Sequence, residues 1–424
     1  MFTGYLELAG TEIVSTERAR AYAAGLGITS VRCEPCPNLP AVLGDKPYTL
    51  PQQDNAPWYD PAVPASREFA GVVGLDVAGA DGTGQRTPTD LLGDGAAIGP
   101  LRRARRELTW RVALLASTDC GLSYGLSWLA SALRGGACDT GGCRGDKLCV
   151  FACCPTGDGT NQLRHLYHVG LLDAPTVKTV YQIAGATSSC ATGATKGGSH
   201  IAEVEFSIVA GIPYWYRDPV PIAGSDITSG GDAGPGDDSD CQPEADCLFD
   251  PTCPAPGPPP TPPIPTDPCY PTGAFPARRE VVTVPAGRVP AWSETVPIVQ
   301  VNTGRGVLRR LTVRFYTNPA GKPCGDALDP CLACAEMSIP YLPAGTLLTV
   351  DGRTRRAYVD CSGGAGPEAL AEPVLYGPAG GLFTWPVFGC GGTGGMCIEI
   401  VSDARYSAYN MTTNVQICAR DDAA

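Results

Sequence analysis

Apolar and polar positions alternate along several short stretches of this chain, and the alternation predicts β-strands. From Leu108 to Leu114 every second residue is large and apolar, and the run from Ala202 to Ala210 repeats the pattern. A period of two places alternate side chains on opposite faces of a sheet, so we expect both stretches to bury one face. Shorter runs at 5–8, 12–14, 71–77 and 166–169 predict further strands.

Two stretches have helical periodicity instead. Ser15, Thr16 and Glu17 have the composition of a helix start, and Gly25 is placed to end a short helix after Ala24. A second helix is predicted by a stripe of leucines spaced four, three and four residues apart, at Leu122, Leu126, Leu129 and Leu133. A leucine stripe of this kind is typical of core or subunit packing.

The chain beyond residue 279 predicts strands and no helix. Seven apolar runs separated by Gly, Pro and Asn turns lie at 281–284, 296–301, 311–316, 347–350, 357–359, 397–401 and 415–418. Short strands at this density favour a β-sandwich or jelly roll. The expected fold class is therefore mainly β with a short helix, an α+β N-terminal domain followed by a C-terminal β-sandwich.

A proline-rich, acidic stretch separates the two parts. Between Asp250 and Pro271 proline is so frequent that neither a helix nor an inner strand can form. From Asp218 to Ala277 there is no Lys or Arg, although ten residues are acidic. We therefore predict a domain at 1–220 with a Cys-rich insertion at 136–160, an extended linker at 221–278, and a sandwich at 279–424.

The charge distribution narrows the possible partners. The net charge is −12, and ten negative charges lie between Asp218 and Ala277, which argues against sequence-specific nucleic-acid binding. No apolar run is long enough to predict a membrane span. The N-terminal segment has acidic residues and no apolar core of the kind a signal peptide needs, so we expect synthesis in the cytoplasm without a signal peptide.

The cysteine content indicates oxidation or metal binding. Twenty cysteines are unusual for a chain that stays reduced, and all are disulfide candidates: Cys33, Cys36, Cys120, Cys138, Cys143, Cys149, Cys153, Cys154, Cys190, Cys241, Cys247, Cys253, Cys269, Cys324, Cys331, Cys334, Cys361, Cys390, Cys397 and Cys418. Zinc is the alternative, but no pair of Cys-x-x-Cys hooks is present. For Cys33 and Cys36 we favour a local disulfide or loop thiols over zinc.

No motif for catalysis emerges. There is no Gly-x-Ser-x-Gly elbow, phosphate-binding loop or His-Glu-x-x-His helix, and the chain has only three histidines, His165, His168 and His200. A thiol–imidazole pair such as Cys154 with His165 is conceivable. The chain is expected not to be an enzyme and to need no cofactor or metal.

Four arginines in five residues form the densest basic cluster of the chain. They are Arg102, Arg103, Arg105 and Arg106. No glycine-rich phosphate cradle or interleaved aromatic residue accompanies them, so we expect a solvated strand face or a subunit contact rather than phosphate binding.

Several segments resemble the distal tail proteins, often called minor tail proteins, of long-tailed phages that infect actinobacteria. In the first domain these are 6–27, 108–112, 121–129, 145–149 and 204–216, and beyond the linker they are 292–316 and 344–352, which are similar to a galectin-like sandwich. None of these segments is a chemical signature, and the resemblance is fuller over 1–220 than over 279–424.

The resemblance implies a structural virion protein at the tail tip. Such proteins assemble into a ring, usually of six copies, which joins the tail tube to the tip hub proteins around the tape-measure protein. No catalytic residues are implied. Cytoplasmic synthesis followed by work outside the cell would reconcile the missing signal peptide with the cysteines.

Two other functions remain open from the sequence. The sandwich could bind carbohydrate on a host surface, with Trp292, Trp385 and Tyr406 as stacking faces, although such aromatic residues are more often core. A zinc or thiol enzyme could use Cys138–Cys154 with His165 and His168.

Overall fold

The structure is a computed structural model, and it describes about two thirds of the sequence. The described residues are 1–28, 36–136, 145–157, 159, 162–183, 199–222, 225–228, 277–318, 324, 328–329, 332–360, 369–370, 375–377, 383, 385, 395–403 and 411–424. Eleven cysteines, most of the predicted linker with its proline stretch, and Tyr406 lie outside them. The cysteines are Cys33, Cys138, Cys143, Cys190, Cys241, Cys247, Cys253, Cys269, Cys331, Cys361 and Cys390.

The chain forms two compact units, and the first is made of two separate pieces of sequence. Unit 1 comprises Met1–Asp218 together with Arg420–Ala424, and unit 2 comprises Pro219–Ala419. The sequence therefore leaves unit 1 after Asp218 and returns to it at Arg420. The predicted boundaries do not include this return.

Unit 1 contains twelve described strands and three α-helices. The strands are β1 (Tyr5–Leu8), β2 (Thr11–Ser15), β3 (Phe69–Ala78), β4 (Gly84–Gln85), β5 (Pro88–Asp90), β6 (Ala96–Ile98), β7 (Arg102–Arg103), β8 (Arg106–Ala116), β9 (Asp146–Phe151), β10 (Leu163–Ile183), β11 (Ser199–Ala210) and β12 (Trp215–Tyr216). The helices are α1 (Thr16–Gly25), α2 (Leu39–Val42) and α3 (Asp119–Ala132), and a 3-10 turn covers Pro64–Arg67.

Unit 2 contains β13 to β23. These are β13 (Val220–Pro221), β14 (Ser225–Thr228), β15 (Ala277–Val284), β16 (Glu294–Asn302), β17 (Leu308–Thr317), β18 (Ala335–Leu342), β19 (Leu347–Asp351), β20 (Arg356–Asp360), β21 (Ala369–Leu370), β22 (Met396–Asp403) and β23 (Thr412–Asp421), whose last two residues belong to unit 1. The prediction of a mainly β chain with few helices is confirmed. The predicted linker range includes the last residue of β13, all of β14 and the first two residues of β15, while its remaining length stays a prediction.

Antiparallel pairing connects seven strands of unit 1 in the order β2-β1-β9-β10-β11-β8-β3. The apolar positions that alternate along β8 and β11 form a buried face, as the sequence predicted. Residues of this face that are at most 1% exposed include Trp110, Val112, Val204 and Phe206. These side chains share one core with α1 and α3. Burying a large apolar side chain contributes about 1.5–3 kcal/mol, so this core is the main stabilising element of unit 1.

Helix α3 follows the predicted leucine stripe. Leu122, Leu129 and Leu133 are buried, Leu126 is half-buried, and the Thr118 side chain accepts a hydrogen bond from Gly121 N at 3.0 Å. Gly125, which costs some helix propensity, has a packing reason. A Cβ there would lie 2.3 Å from the Phe69 ring, so only glycine lets this aromatic side chain reach the helix.

Unit 2 is built from two layers of strands. One five-stranded sheet has the order β14-β15-β22-β17-β18, and β16, β19, β20 and β21 pair in sequence beside β23. Side chains from both layers, among them Val313, Ile398, Val299 and Val350, form one core. Strand β18 was missed from the sequence because Pro340 interrupts its pattern. Its position at the end of the sheet order explains how proline is tolerated.

Candidate functional site: an assembly surface

Strand β10 changes partners along its length. Its first part, up to Val169, pairs with β9, and from Val169 to Ile183 it pairs with β11. The change occurs beside His168, which has a left-handed φ of 57° and whose carbonyl accepts a hydrogen bond from Gly211 N at 3.0 Å. Beyond this bulge, no second strand pairs with β10 in the described part of the chain. We call residues 171–183 the β10 edge.

The β10 edge exposes apolar side chains. Leu172, Val177, Val180 and Tyr181 are each 43–51% exposed. Val180 lies beside Ala202 in the sheet and Val177 beside Val204, and both β11 neighbours are buried. The apolar face of the sheet therefore continues past the region that the described residues of unit 1 cover. An edge strand of this length with exposed apolar residues is a template for pairing with another chain.

A second exposed apolar feature lies between β3 and β8. Residues 84–103, which we call the arm, fold into two successive short strand pairs, β4 with β7 and β5 with β6. Leu91 N donates to Gly95 O at 3.1 Å to close the tip, where Gly95 has a φ of 99°. Almost every residue of the arm is exposed, and the apolar ones are Leu91, Leu92, Ile98 and Leu101.

The base of the arm is fastened by a buried arginine. Arg106 is fully buried, and its guanidinium donates to the carbonyls of Pro213 and Gly79, both at 2.8 Å, and to those of Asp81 and Asp422. Burial lowers the Arg106 pKa from its ordinary value, although the nearby Asp81 and Asp422 charges oppose this. For Arg106 the expectation of a solvated strand face is wrong, because the backbone carbonyls supply the partners that solvent would.

The other three arginines of the cluster are more accessible to solvent than Arg106. Arg105 is exposed and pairs with Glu107 at 2.7 Å, Arg102 is exposed, and Arg103 lies 3.4 Å from the Asp422 carboxylate. Asp422 also accepts from Thr83 N at 3.4 Å, and Ala424 N donates to Ala80 O at 3.2 Å. The returning residues 420–424 thus hold the loop from which the arm begins.

The three histidines occupy different positions of the unit 1 sheet. His165 lies opposite Cys149, His168 lies at the bulge, and His200 pairs with Gln182 and Ala116. Both ring nitrogens of His200 are buried without a hydrogen-bond partner among the described residues. The register therefore does not gather the histidines into one site.

His165 joins a buried thiol to a carboxylate. Its Nδ1 lies 3.1 Å from Cys149 Sγ, and its Nε2 lies 2.7 Å from Asp218 Oδ1. Burial raises the pKa of the Cys149 thiol to about 12, so the thiol keeps its proton and can donate to Nδ1 while Nε2–H donates to Asp218. That hydrogen bond lowers the Asp218 pKa below its ordinary value.

This arrangement has the residue types of a thiol triad but not the electrostatics. A nucleophilic cysteine needs a depressed pKa and access to solvent, whereas Cys149 is only 4% exposed and its pKa is raised. The pairing of Cys154 with His165 that the sequence suggested is wrong, because Cys154 is bonded to Cys36. Cys149 meets His165 because the two residues lie opposite each other where β9 pairs with β10.

Cysteines of the described residues are partly bridged. Cys36 bonds to Cys154 across 118 positions of sequence, and Cys324 bonds to Cys397 across 73. Cys120 and Cys334 are also disulfide-bonded, while Cys149, Cys153 and Cys418 are thiols. Cys36 is therefore neither bridged to Cys33 nor a loop thiol, so both forms of the expectation are wrong for Cys36, while Cys33 lies outside the described residues. Pairing at the other candidate positions stays a prediction.

The described residues contain neither a candidate metal site nor a candidate membrane-spanning helix. Within them, no three His, Cys, Asp or Glu side chains are grouped so that they could hold a metal ion. No helix in the same residues is long and apolar enough to cross a membrane.

In unit 2 the aromatic residues predicted for stacking differ in exposure. Trp292 is 79% exposed in the loop before β16. Trp385 packs edge-on against Phe383 with ring centroids 5.0 Å apart and borders the core, as expected for a core aromatic. Tyr406 lies outside the described residues.

A charged cluster in unit 2 is internal. Glu399 is 3% exposed, pairs with Arg279 and with Arg314 at 3.4 Å, and accepts from the Tyr316 hydroxyl at 2.7 Å. Arg314 also pairs with Glu336 at 2.5 Å. These charges satisfy one another across four neighbouring strands, so the cluster is a structural network rather than an open site.

Comparison with known proteins finds similarity among solved structures alone. No family model matches the chain, and no curated protein matches it. The crystal structure of the SPP1 Dit protein, described as a paradigm of the hub adsorption apparatus in phages infecting Gram-positive bacteria, aligns over 84% of this chain and 94% of that chain, with 10% identity and a TM-score of 0.36.

Two structures of a phage baseplate are also similar. The phage P2 baseplate in its activated conformation with calcium aligns over 83% of this chain and 92% of that chain, with 10% identity and a TM-score of 0.33. The same assembly with strontium gives the same coverage and identity and a TM-score of 0.34.

Proposed function

We propose that this chain is a structural component of a phage tail tip that assembles into a ring, of six copies by analogy with the distal tail proteins it resembles. The ring would join the tail tube to tip hub proteins around the tape-measure protein, and the chain would reside in the virion. The observation that carries self-association is the β10 edge, which is long, exposes four large apolar side chains and has no second strand partner in the described residues.

Strand edges of this kind favour assembly for two physical reasons. The outward N–H and C=O groups of residues 171–183 need partners, which a strand from another chain supplies. The exposed faces of Val177 and Val180 adjoin the buried face of β11, so covering them extends an existing core rather than creating a separate one.

Native mass spectrometry of the purified full chain, with electron microscopy of the same sample, tests this proposal. We expect a closed species of six chains and ring-shaped particles, and addition of tail tube protein should give a larger complex. A chain that stays monomeric at every concentration and with the tail tube protein present would contradict the proposal.

Carbohydrate binding by unit 2 is a second candidate, favoured by the exposed Trp292. An indole with this exposure can stack on a sugar ring, and exposed large aromatic residues frequently mark binding surfaces. Glycan-array binding by the full chain, lost in Trp292→Ala and kept in Tyr341→Ala, would support it. An array with no signal for the wild-type chain would contradict it.

A further inference from the structure

We propose that the arm of one copy, residues 84–103, docks along the β10 edge of the next copy. The inference rests on the proposed self-association and names its two contact surfaces. Both belong to unit 1, and both expose four large apolar side chains: Leu91, Leu92, Ile98 and Leu101 on the arm, and Leu172, Val177, Val180 and Tyr181 on the edge.

The two surfaces do not cover each other within one copy. Leu92 is fully exposed, and Val180 is 51% exposed. A hairpin with no packing partner is marginally stable in water, so the arm would be stabilised by a surface that the described residues of its own unit do not provide. A second copy of this chain provides one.

The register of the sheet separates the base of the arm from the far part of the β10 edge, around Val180. The arm leaves the sheet next to Arg106, which lies beside Ala210, and Ala210 lies beside Val169. Val180 lies beside Ala202, which lies beside Leu114. Eight residues separate Arg106 from Leu114 along β8, which is roughly 26 Å at about 3.3 Å per residue.

Two different surfaces that meet between copies make a head-to-tail contact. Such a contact leaves one free arm and one free edge on every pair, so further copies add until the assembly closes into a ring. An edge-to-edge contact would instead satisfy both edges in a dimer and stop there. The arm–edge contact is therefore the one that is compatible with a ring of more than two copies.

Two assembly-defective variants of the full chain test the contact. The arm variant is Leu91→Asp with Leu92→Asp, and the edge variant is Val177→Asp with Val180→Asp. Each places charges in a contact that buries apolar side chains, so each alone should weaken self-association by roughly 100-fold or more, as measured by sedimentation velocity. Leu75→Asp is the control, because Leu75 is 42% exposed and lies outside both surfaces.

Mixing the two variants gives the discriminating result. The arm variant keeps an intact edge and the edge variant keeps an intact arm, so an equal mixture should form a species of one copy of each and nothing larger. No heterodimer in the mixture, or an arm variant that assembles like the wild-type chain, would overturn the arm–edge contact and leave the proposed function standing. A wild-type chain that stays monomeric at every concentration and with the tail tube protein present would overturn both.

Hydrogen exchange gives a second readout that needs no variant. On assembly of the wild-type chain, amides in both 84–103 and 171–181 should exchange more slowly than in the dilute monomer. Protection of residues 171–181 without protection of the arm would indicate edge-to-edge pairing and contradict the proposal. At concentrations at which the wild-type chain is monomeric, circular dichroism and unfolding midpoints should match the wild type for both variants, because the substituted positions are exposed.

Discussion

Replacing Arg106 should destabilise unit 1 more than any other single arginine substitution in the 102–106 cluster. Its guanidinium donates to four carbonyls that come from three separate parts of the sequence, at Gly79 and Asp81, Pro213 and Asp422. In Arg106→Met the side chain remains long but becomes neutral and apolar, and all four carbonyls lose this donor.

The magnitude follows from the carbonyls left behind. An unsatisfied buried acceptor costs about 1–3 kcal/mol, so if water reaches two of the four carbonyls, the loss is still about 4 kcal/mol. For a unit of this size each kcal/mol corresponds to about 2–4 °C in the unfolding temperature, so the unit 1 transition should fall by about 8–16 °C. Arg106 and its four carbonyl partners all belong to unit 1, so the unfolding transition of unit 2 should not change.

Urea titration with pulsed hydrogen exchange and mass spectrometry distinguishes the two units. Peptides from β8 and β11 report unit 1, and peptides from β17 report unit 2. Arg105→Met is the matched control, because Arg105 is exposed and its one exposed ion pair contributes within about 0.5 kcal/mol. Arg106→Met should lower the urea midpoint measured on β8 peptides more than Arg105→Met does. If both variants shift it equally, Arg106 does not stabilise the contact with the returning residues 420–424.

Deleting residues 420–424 supplies an independent check of the same contact. The deletion removes the Asp422 carbonyl and the pairing of Trp215 with Asp421. Because Arg106 and the deleted segment share that contact, the combined variant should lose less stability than the two separate losses added together. Full additivity would show that the two features stabilise unit 1 independently.

Three further outcomes are expected. A thiol-alkylating reagent at pH 8 should label the exposed Cys153 quickly. It should label the buried Cys149, whose pKa is raised to about 12, only after unfolding. Equal labelling rates would contradict the burial of Cys149. The lowered pKa of Asp218 implies stability that is present above its ordinary pKa of 3.8 and is lost as the pH falls below it. The urea midpoint should therefore differ less between pH 5 and pH 3 in Asp218→Asn than in the wild-type chain. An unchanged difference would refute the hydrogen bond to His165. Gly125→Val should lower the unfolding midpoint by the equivalent of about 2 kcal/mol despite a similar helix propensity, because its side chain meets the Phe69 ring; Ser127→Val on the exposed face of α3 should change it little.

Local sequence patterns predicted the elements well. The alternation along 108–114 and 202–210 corresponds to β8 and β11, the leucine stripe corresponds to α3, and the Ser15–Glu17 signal corresponds to the start of α1. These patterns are readable because a strand or helix repeats every two or 3.6 residues, and burial of one face requires the matching repeat. The shorter arm strands, β9 and the proline-containing β18 were missed because their patterns are too brief or interrupted.

The candidate site was far less accessible to sequence reasoning. The cluster at 102–106 suggested exposed arginines, yet Arg106 is buried, because its carbonyl partners come from residues up to 316 positions away. The exposure of Val177 and Val180 was equally hidden, since the same apolar residues in a strand with two partners would be core.

The periodicity of the chain thus determined which segments become strands and helices, while the acidic, proline-rich linker that its composition predicts lies mostly outside the described residues and stays a prediction. Long-range pairing determined the rest: the return of residues 420–424 to unit 1, the Cys36–Cys154 bridge, and the half of β10 that has no second strand partner among the described residues. The physical reason is that periodic burial is a local property, readable within about ten residues. Register, cross-linking and the location of an uncovered edge depend on which distant segments meet when the core closes.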